Sequence, residues 1–247
     1  MYSESHCHLR DVTDEFIRKV LEAGIELILT AGIDIASSIR AIEVASKYEI
    51  VKCCVGIHPW YADEFSYEAL SKLKQLIDND EVVAISEIGL DYIARRTHQW
   101  EHSDEVIHPD IQRKAFRGQI ALAKEYTLPI LVHDRAHGEE ILDIIEDEGV
   151  TNTGVAIHGF SKNALFAQRA VNMGVYLSLG RNLLMGDSRE LEEAIIKTPI
   201  AWILTETDSS NPFEVIKVAE KIAELKGITK EEAGFIATKN LRRLLRI

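Results

Sequence analysis

The chain has 247 residues, 46% of them hydrophobic and 28% charged, with a formal net charge of −12. This is the balance of a soluble globular protein: it is too apolar for disorder, and it lacks the run of roughly eighteen apolar residues that a membrane span needs. The acidic charge excludes a broad, non-specific grip on duplex nucleic acid, but not an enzyme that holds a few phosphates in a cationic pocket or on bound divalent ions.

The three cysteines, Cys7, Cys53 and Cys54, cannot pair evenly. With no signal-peptide pattern ahead of the first histidine, they point to reduced thiols and a cytoplasmic location, without membrane association. No low-complexity stretch or linker divides the sequence, so one domain over residues 1–247 is expected.

The first element, Tyr2–His8, carries Glu4, His6 and His8 at alternate positions, which in a strand share a face. Thr13–Ala23 follows with Phe16, Val20 and Leu21 as an apolar stripe and Gly24 as a stop, the pattern of a helix. Glu26–Thr30 reads as a strand, Asp34–Tyr48 as a helix and Val51–His58 as a strand, its two cysteines being small core residues. Phe65–Ile77 is helical, and Val82–Ile88 is a strand that carries Glu87 near its end. Ile93–Pro109 is polar and loop-like. It is expected to form a solvated lid, with Arg95 and Arg96 as substrate anion contacts. His98 and His102 there have i,i+4 spacing, which could bind metal only if helical.

Helices are then expected over Ile111–Tyr126, Glu139–Glu148, Asn163–Met173 and Glu190–Lys197. Strands are expected at Ile130–His133, Gly154–His158, Gly174–Ser178 and Trp202–Thr205. Gly180–Asp187 falls at a pocket rim. Pro212–Leu225 opens on a proline suited to a first turn, and Thr229–Leu245 opens on a capping-box pattern with Thr229 and Glu232. Runs such as "ILVH" and "VVAIS" are apolar on both faces, as parallel strands covered by helices must be. Eight such units predict an α/β fold of the closed (β/α)₈ TIM-barrel kind. The alternative is an open doubly wound sheet, although the opening has no G-x-G-x-x-G.

A barrel keeps its active site at the C-terminal strand ends. Six of the eight runs end there in histidine or carboxylate: His6 and His8, His58, Glu87, His133, His158, and Glu206 with Asp208. Singly, each has a bland reading. A strand-end histidine is usually a hydrogen-bonded residue, Glu87 could be an ion-pair partner, and Asp208 could cap the helix near Pro212. Together they form a ring that is costly to bury unless it holds a cation, and imidazole with carboxylate is the ligand set of zinc and similar metals.

The segments "ESHCHL", "GIHPW", "SEIGLDY", "QRKAFRGQIALAKEYTLPILVHDR", "GVAIHGFS" and "ILTETDSS" together resemble the TatD family of metal-dependent hydrolases, among the amidohydrolase-like barrels. The resemblance runs nearly end to end. It implies two divalent ions (Zn, Mg, Mn, Co or Ni) and hydrolysis of phosphodiester bonds, as by a deoxyribonuclease, with nucleic acid as substrate. His6 and His8 would bind one metal and His133 and His158 the second, with Glu87 bridging or approaching both. Asp208 would bind the first metal and handle the proton of an attacking water, while His58 would contact the substrate phosphate. Metal coordination would bring the pKa of that water from about 16 toward about 7. Glu4 stands where the family usually has Asp, Asp134 for Ser, Gly159 for Cys and Ser86 for Gly, and the proline expected after Asp208 is displaced to Pro212. Two other functions fit the same ring: an amidohydrolase acting on a lactone, amide or phosphoester, or a catalytically silent metal-binding protein.

Overall fold

The structure, a computed structural model, describes residues 1–186 and 188–247. Eight parallel strands hydrogen-bond in chain order: β1 (Tyr2–Cys7), β2 (Ile25–Ala31), β3 (Val51–Val55), β4 (Val82–Asp91), β5 (Ile130–Arg135), β6 (Val155–Ile157), β7 (Val175–Leu179) and β8 (Ile203–Thr205). The last strand returns beside the first, where the Thr205 hydroxyl donates to the Ser3 carbonyl at 2.8 Å, so the sheet is a nearly closed barrel. The expected alternation is present, and the open doubly wound sheet is excluded.

The helices between the strands are α1 (Asp14–Glu22), α2 (Ile35–Ala45), α3 (Tyr67–Ile77), α4 (Pro109–Tyr126), α5 (Glu140–Glu148), α6 (Ala164–Asn172), α7 (Arg181–Met185), α8 (Arg189–Lys197), α9 (Val215–Lys226) and α10 (Lys230–Leu245). Their starts follow local chemistry. Thr13, Ser66, Asn163 and Thr229 each accept a backbone N–H of the first turn and sit just outside the helices they open. The rim segment expected at Gly180–Asp187 contains the short helix α7; Asp187 itself lies outside the described residues. Pro212–Glu214 forms a 3₁₀ turn before α9 rather than its first turn.

Outward-facing strand residues pack under the helices, with Phe116, Ile120 and Ala123 of α4 fully covered. Inside the barrel, Leu27, Leu29, Leu131, Tyr176 and Leu204 form a second apolar cluster with Leu241, Leu244 and Leu245 of α10. Asn240 holds α10 across the N-terminal end, donating to the carbonyls of Ile200 and Ile203 at 2.8 Å each. One end of the barrel is therefore plugged with apolar side chains, each worth roughly 1.5–3 kcal/mol on burial, and the polar residues are left at the other end. Cys7, Cys53 and Cys54 are free and buried, and burial pushes their thiols up, that of Cys53 to about 12. Among the described residues no helix is long and apolar enough to cross a membrane.

Two local departures shape the open end. β3 stops at Val55 instead of running to His58. At Gly56 a Cβ would collide with the Ser86 carbonyl, and the Gln119 side chain takes both backbone groups of Ile57, at 2.7 and 2.9 Å. In β1 the pairing slips between Glu4 and Cys7, so the simple alternation of Glu4, His6 and His8 does not hold.

Candidate metal centre

The open end gathers His6, His8, His58, Glu87, His133, His158 and Asp208, from six strands and the turns that follow them. Glu87 lies in the middle and is 4% exposed. Its two oxygens look at different partners. Oε2 lies 3.5 Å from His6 Nε2 and 3.7 Å from His8 Nε2. Asp208 Oδ1 completes that group, 3.7 Å from His6 Nε2 and 3.3 Å from His8 Nε2. Oε1 lies 2.6 Å from His158 Nε2, 3.0 Å from His133 Nδ1 and 3.4 Å from His58 Nε2.

These spacings suit a divalent ion. Donors bound at about 2.0–2.2 Å in tetrahedral or octahedral geometry stand about 3–3.5 Å from one another. Both ring nitrogens of the fully buried His6, and Nδ1 of His158, lack a hydrogen-bond partner. A buried polar atom left so costs about 1–3 kcal/mol, which a bound cation would offset at His6 Nε2.

Tautomers sort the imidazoles further. His8 Nδ1 is 3.0 Å from the Ala31 carbonyl, so that nitrogen is the donor and the Nε2 lone pair faces Glu87 and Asp208. His133 Nε2 is 3.0 Å from Asp91 Oδ2, which leaves the Nδ1 lone pair toward Glu87. A carbonyl or carboxylate behind the ring is the usual support of a metal-binding histidine. His58 is the reverse. Its Nδ1 accepts the Trp60 backbone N–H at 3.0 Å. Burial lowers its pKa to about 4, so the ring is neutral and its Nε2 carries the proton. Proximity groups His58 with Glu87 and His133 as possible ligands, but its Nε2 is a donor and has no lone pair for a cation.

The electrostatics agree. Burial opposes charge on Glu87, yet His158, His58 and His6 around it hold its carboxyl well below the usual range. Burial likewise opposes charge on Asp208, but the neighbouring imidazoles of His8, His158 and His6 hold it at about 2. His158 is pushed well above its usual value: burial works against the charged ring, but Glu87 and Glu206 outweigh it. His6, with both burial and His158 against its charged form, is lowered. Asp208 sits at a positive φ of 50°, a conformation aspartate tolerates. It caps nothing: Asn211 takes the Phe213 N–H at the turn that follows.

Glu4 does not join the ring. Its Oε1 accepts from the backbone N–H of His6 at 2.9 Å and of Thr207 at 3.1 Å, tying the end of β1 to the end of β8. Gly159, where the family usually has Cys, has φ of +59°, and its N–H donates to Glu206 Oε1 at 2.7 Å. Asp134 pairs with Lys162 at 3.2 Å.

The structure gives Arg95 and Arg96 partners other than the ring. Arg95 is bound to Asp63 at 3.1 Å and to the Trp60 carbonyl at 3.1 Å, and Arg96 to the Trp100 carbonyl at 3.0 Å. They lie in a small antiparallel hairpin, Arg95–Arg96 against His102–Ser103, so His98 and His102 are not on a helix.

Four contributors escaped the sequence reading. Asp91 was visible only as the "D" of "SEIGLDY"; it is fully buried and accepts from Trp60 Nε1 at 2.8 Å as well as holding His133. Glu206 was noted at its strand end and given no part. Arg135 and Arg181 are cationic side chains on a cavity of about 490 Å³ shared with His133, His158 and Asp208.

A (β/α)₈ barrel with a histidine–carboxylate ring at its C-terminal strand ends is the architecture of the metal-dependent hydrolases. The chain belongs to the family of TatD-related DNases, whose family model matches residues 4–246. It is 35% identical to an uncharacterized metal-dependent hydrolase, YabD of Bacillus subtilis, with all of both chains covered. It is 27% identical to human deoxyribonuclease TATDN3, covering 98% of this chain and 93% of that one. Among solved structures, the TatD homolog YjjV of Escherichia coli superposes with a TM-score of 0.83 at 23% identity, over 100% of this chain and 98% of the other.

Proposed function

We propose that this chain is a phosphodiesterase acting on nucleic acid through a centre of two divalent ions. The observation that carries the reading is the division of Glu87: Oε2 faces His6, His8 and Asp208, while Oε1 faces His133 and His158. In this reading His6, His8, Glu87 and Asp208 hold one ion, and Glu87, His133 and His158 hold the other. Bound there, the ions supply Lewis acidity, lowering the pKa of a water and offsetting charge on a phosphoryl group. The name of the human relative supports a polynucleotide substrate.

The chain's own residues do the rest. Asp208 is ionised, and its side chain is 42% exposed toward the cleft, so it can orient the attacking water and accept its proton. His58 Nε2–H is a neutral donor beside the ring, and in this reading it donates to a phosphoryl oxygen as charge develops there. Arg135 and Arg181 on the cleft wall favour phosphate over a neutral amide or lactone. No lysine stands in the ring, in contrast to amidohydrolase sites that use a carboxylated lysine.

The test is elemental analysis of the purified protein, then hydrolysis of bis(p-nitrophenyl) phosphate and of single-stranded and duplex DNA with each metal restored. Metal-dependent cleavage, abolished by His133→Ala in a folded variant, is expected. Cleavage of lactones or amides in preference to phosphodiesters would overturn the substrate. A protein that binds metal and turns over none of them would be the silent alternative.

A further inference from the structure

The 490 Å³ cleft lies on the side of His133 and His158. On the other side, bordered by His8, is a second cavity of about 90 Å³ to which no role has been given. Its wall includes Arg10, Arg40, Tyr61, His98 and Trp100. It is built by five parts of the chain: the end of β1, the end of β2, α2 with the turn before it, the turn after β3 and the hairpin after β4.

The charge in this wall is unspent. Arg95, Arg113, Arg117 and Arg169 each have a carboxylate partner. Among the described residues Arg10 and Arg40 make neither a salt bridge nor a side-chain hydrogen bond, in a chain whose net charge is −12. Arg10 is held all the same, its Cζ 5.1 Å from the centroid of the Trp100 ring, so the hairpin positions one of the two cations. The acid in the wall, Asp34, is already occupied. Its Oδ1 accepts from the N–H and the hydroxyl of Ser37, both at 2.6 Å, and its Oδ2 pairs with His98 Nδ1 at 3.1 Å. Two guanidiniums without a carboxylate partner, beside an acid whose oxygens already have donors, make a site for an anion.

Size narrows the ligand. The cavity is well below the roughly 300 Å³ at which pockets for whole small molecules begin, so a nucleoside does not fit while one tetrahedral oxyanion does. We propose that this cavity is a subsite for the phosphate next to the scissile one, bound by Arg10 and Arg40, on a nucleotide or oligonucleotide lying across His8. It rests on the phosphodiesterase reading and adds to it a requirement for a second phosphate. The hairpin then acts through Trp100, which sets Arg10, rather than through Arg95 or Arg96.

The experiment is calorimetric titration of the manganese-loaded protein with thymidine 3′,5′-bisphosphate and with thymidine 5′-monophosphate, for the wild type, Arg40→Gln and Arg10→Gln/Arg40→Gln. The bisphosphate is expected to bind the wild type at least tenfold more tightly. The double variant loses that advantage, the single variant loses part of it, and monophosphate affinity is unchanged in both. Equal affinity for the two ligands in the wild type, or an advantage retained in the double variant, overturns the subsite. Turnover is read separately: wild-type protein that cleaves no phosphodiester with any metal removes the underlying reading, whatever the titration reports.

Discussion

Asp91 Oδ2 lies 3.0 Å from His133 Nε2, on the side of the imidazole away from Glu87. The carboxylate is itself fixed by the Trp60 indole and by the backbone N–H groups of Ile93 and Ala94. It therefore determines which nitrogen of His133 faces the ring. Asp91→Asn removes the charge and, with the amide nitrogen in the place of Oδ2, the two acceptor contacts to Trp60 and His133. It is expected to weaken metal binding by about 10–100-fold. Competitive metal titration, with circular dichroism to establish the fold, measures this; unchanged affinity would uncouple Asp91 from His133.

His58 separates binding from chemistry. Because its Nε2 carries the proton, His58→Gln should retain the metal content of the wild type and lose about 10²–10³ in kcat, the cost of removing one fixed donor. Loss of one ion per chain by elemental analysis would instead make His58 a ligand.

Glu4 is a structural tie. Glu4→Ala leaves the N–H groups of His6 and Thr207 without acceptors at a fully buried position, at a cost of about 2–5 kcal/mol for the two. Glu4→Gln keeps the accepting oxygen and should lie close to the wild type in thermal denaturation. Equal loss in both variants would mean that the charge, not the acceptor, matters.

The barrel plug gives a second stability prediction. Leu241 is fully buried at the closed end, and Leu241→Ala should destabilise the fold by about 2–5 kcal/mol in denaturant unfolding. Metal content of the folded fraction should not change, since the plug and the ring occupy opposite ends.

The hairpin is sensitive to pH. Hydrogen bonding to Glu64 at 2.7 Å, helped by Asp34, raises His98 above its ordinary value of 6.5. A raised folded-state pKa means that the contact contributes fully below 6.5 and is lost as pH rises through the folded value. The hairpin should therefore loosen on the alkaline side, read as a change in Trp100 fluorescence with an apparent pKa above 6.5. His98→Gln should abolish the transition.

The alternation of apolar runs and amphipathic segments was enough to identify the barrel, because each period reports a local backbone geometry that burial then enforces. The residue types of the ring were legible for a related reason: a barrel exposes its strand ends on one face, so polar residues at those positions converge whatever lies between them. The sequence by itself thus determined the architecture and most of the ring's membership. Tertiary structure alone decided the division of Glu87 between two groups, the proton position on His58 and the partners of Asp91. It also gave Glu4 the backbone N–H groups of His6 and Thr207 as partners, and set Arg10 against Trp100. Each of these depends on which atom of a side chain meets which partner, in most cases a residue tens to hundreds of positions away, and neither periodicity nor motif spacing encodes that. It is settled only when packing closes the barrel and every buried donor has to find its acceptor.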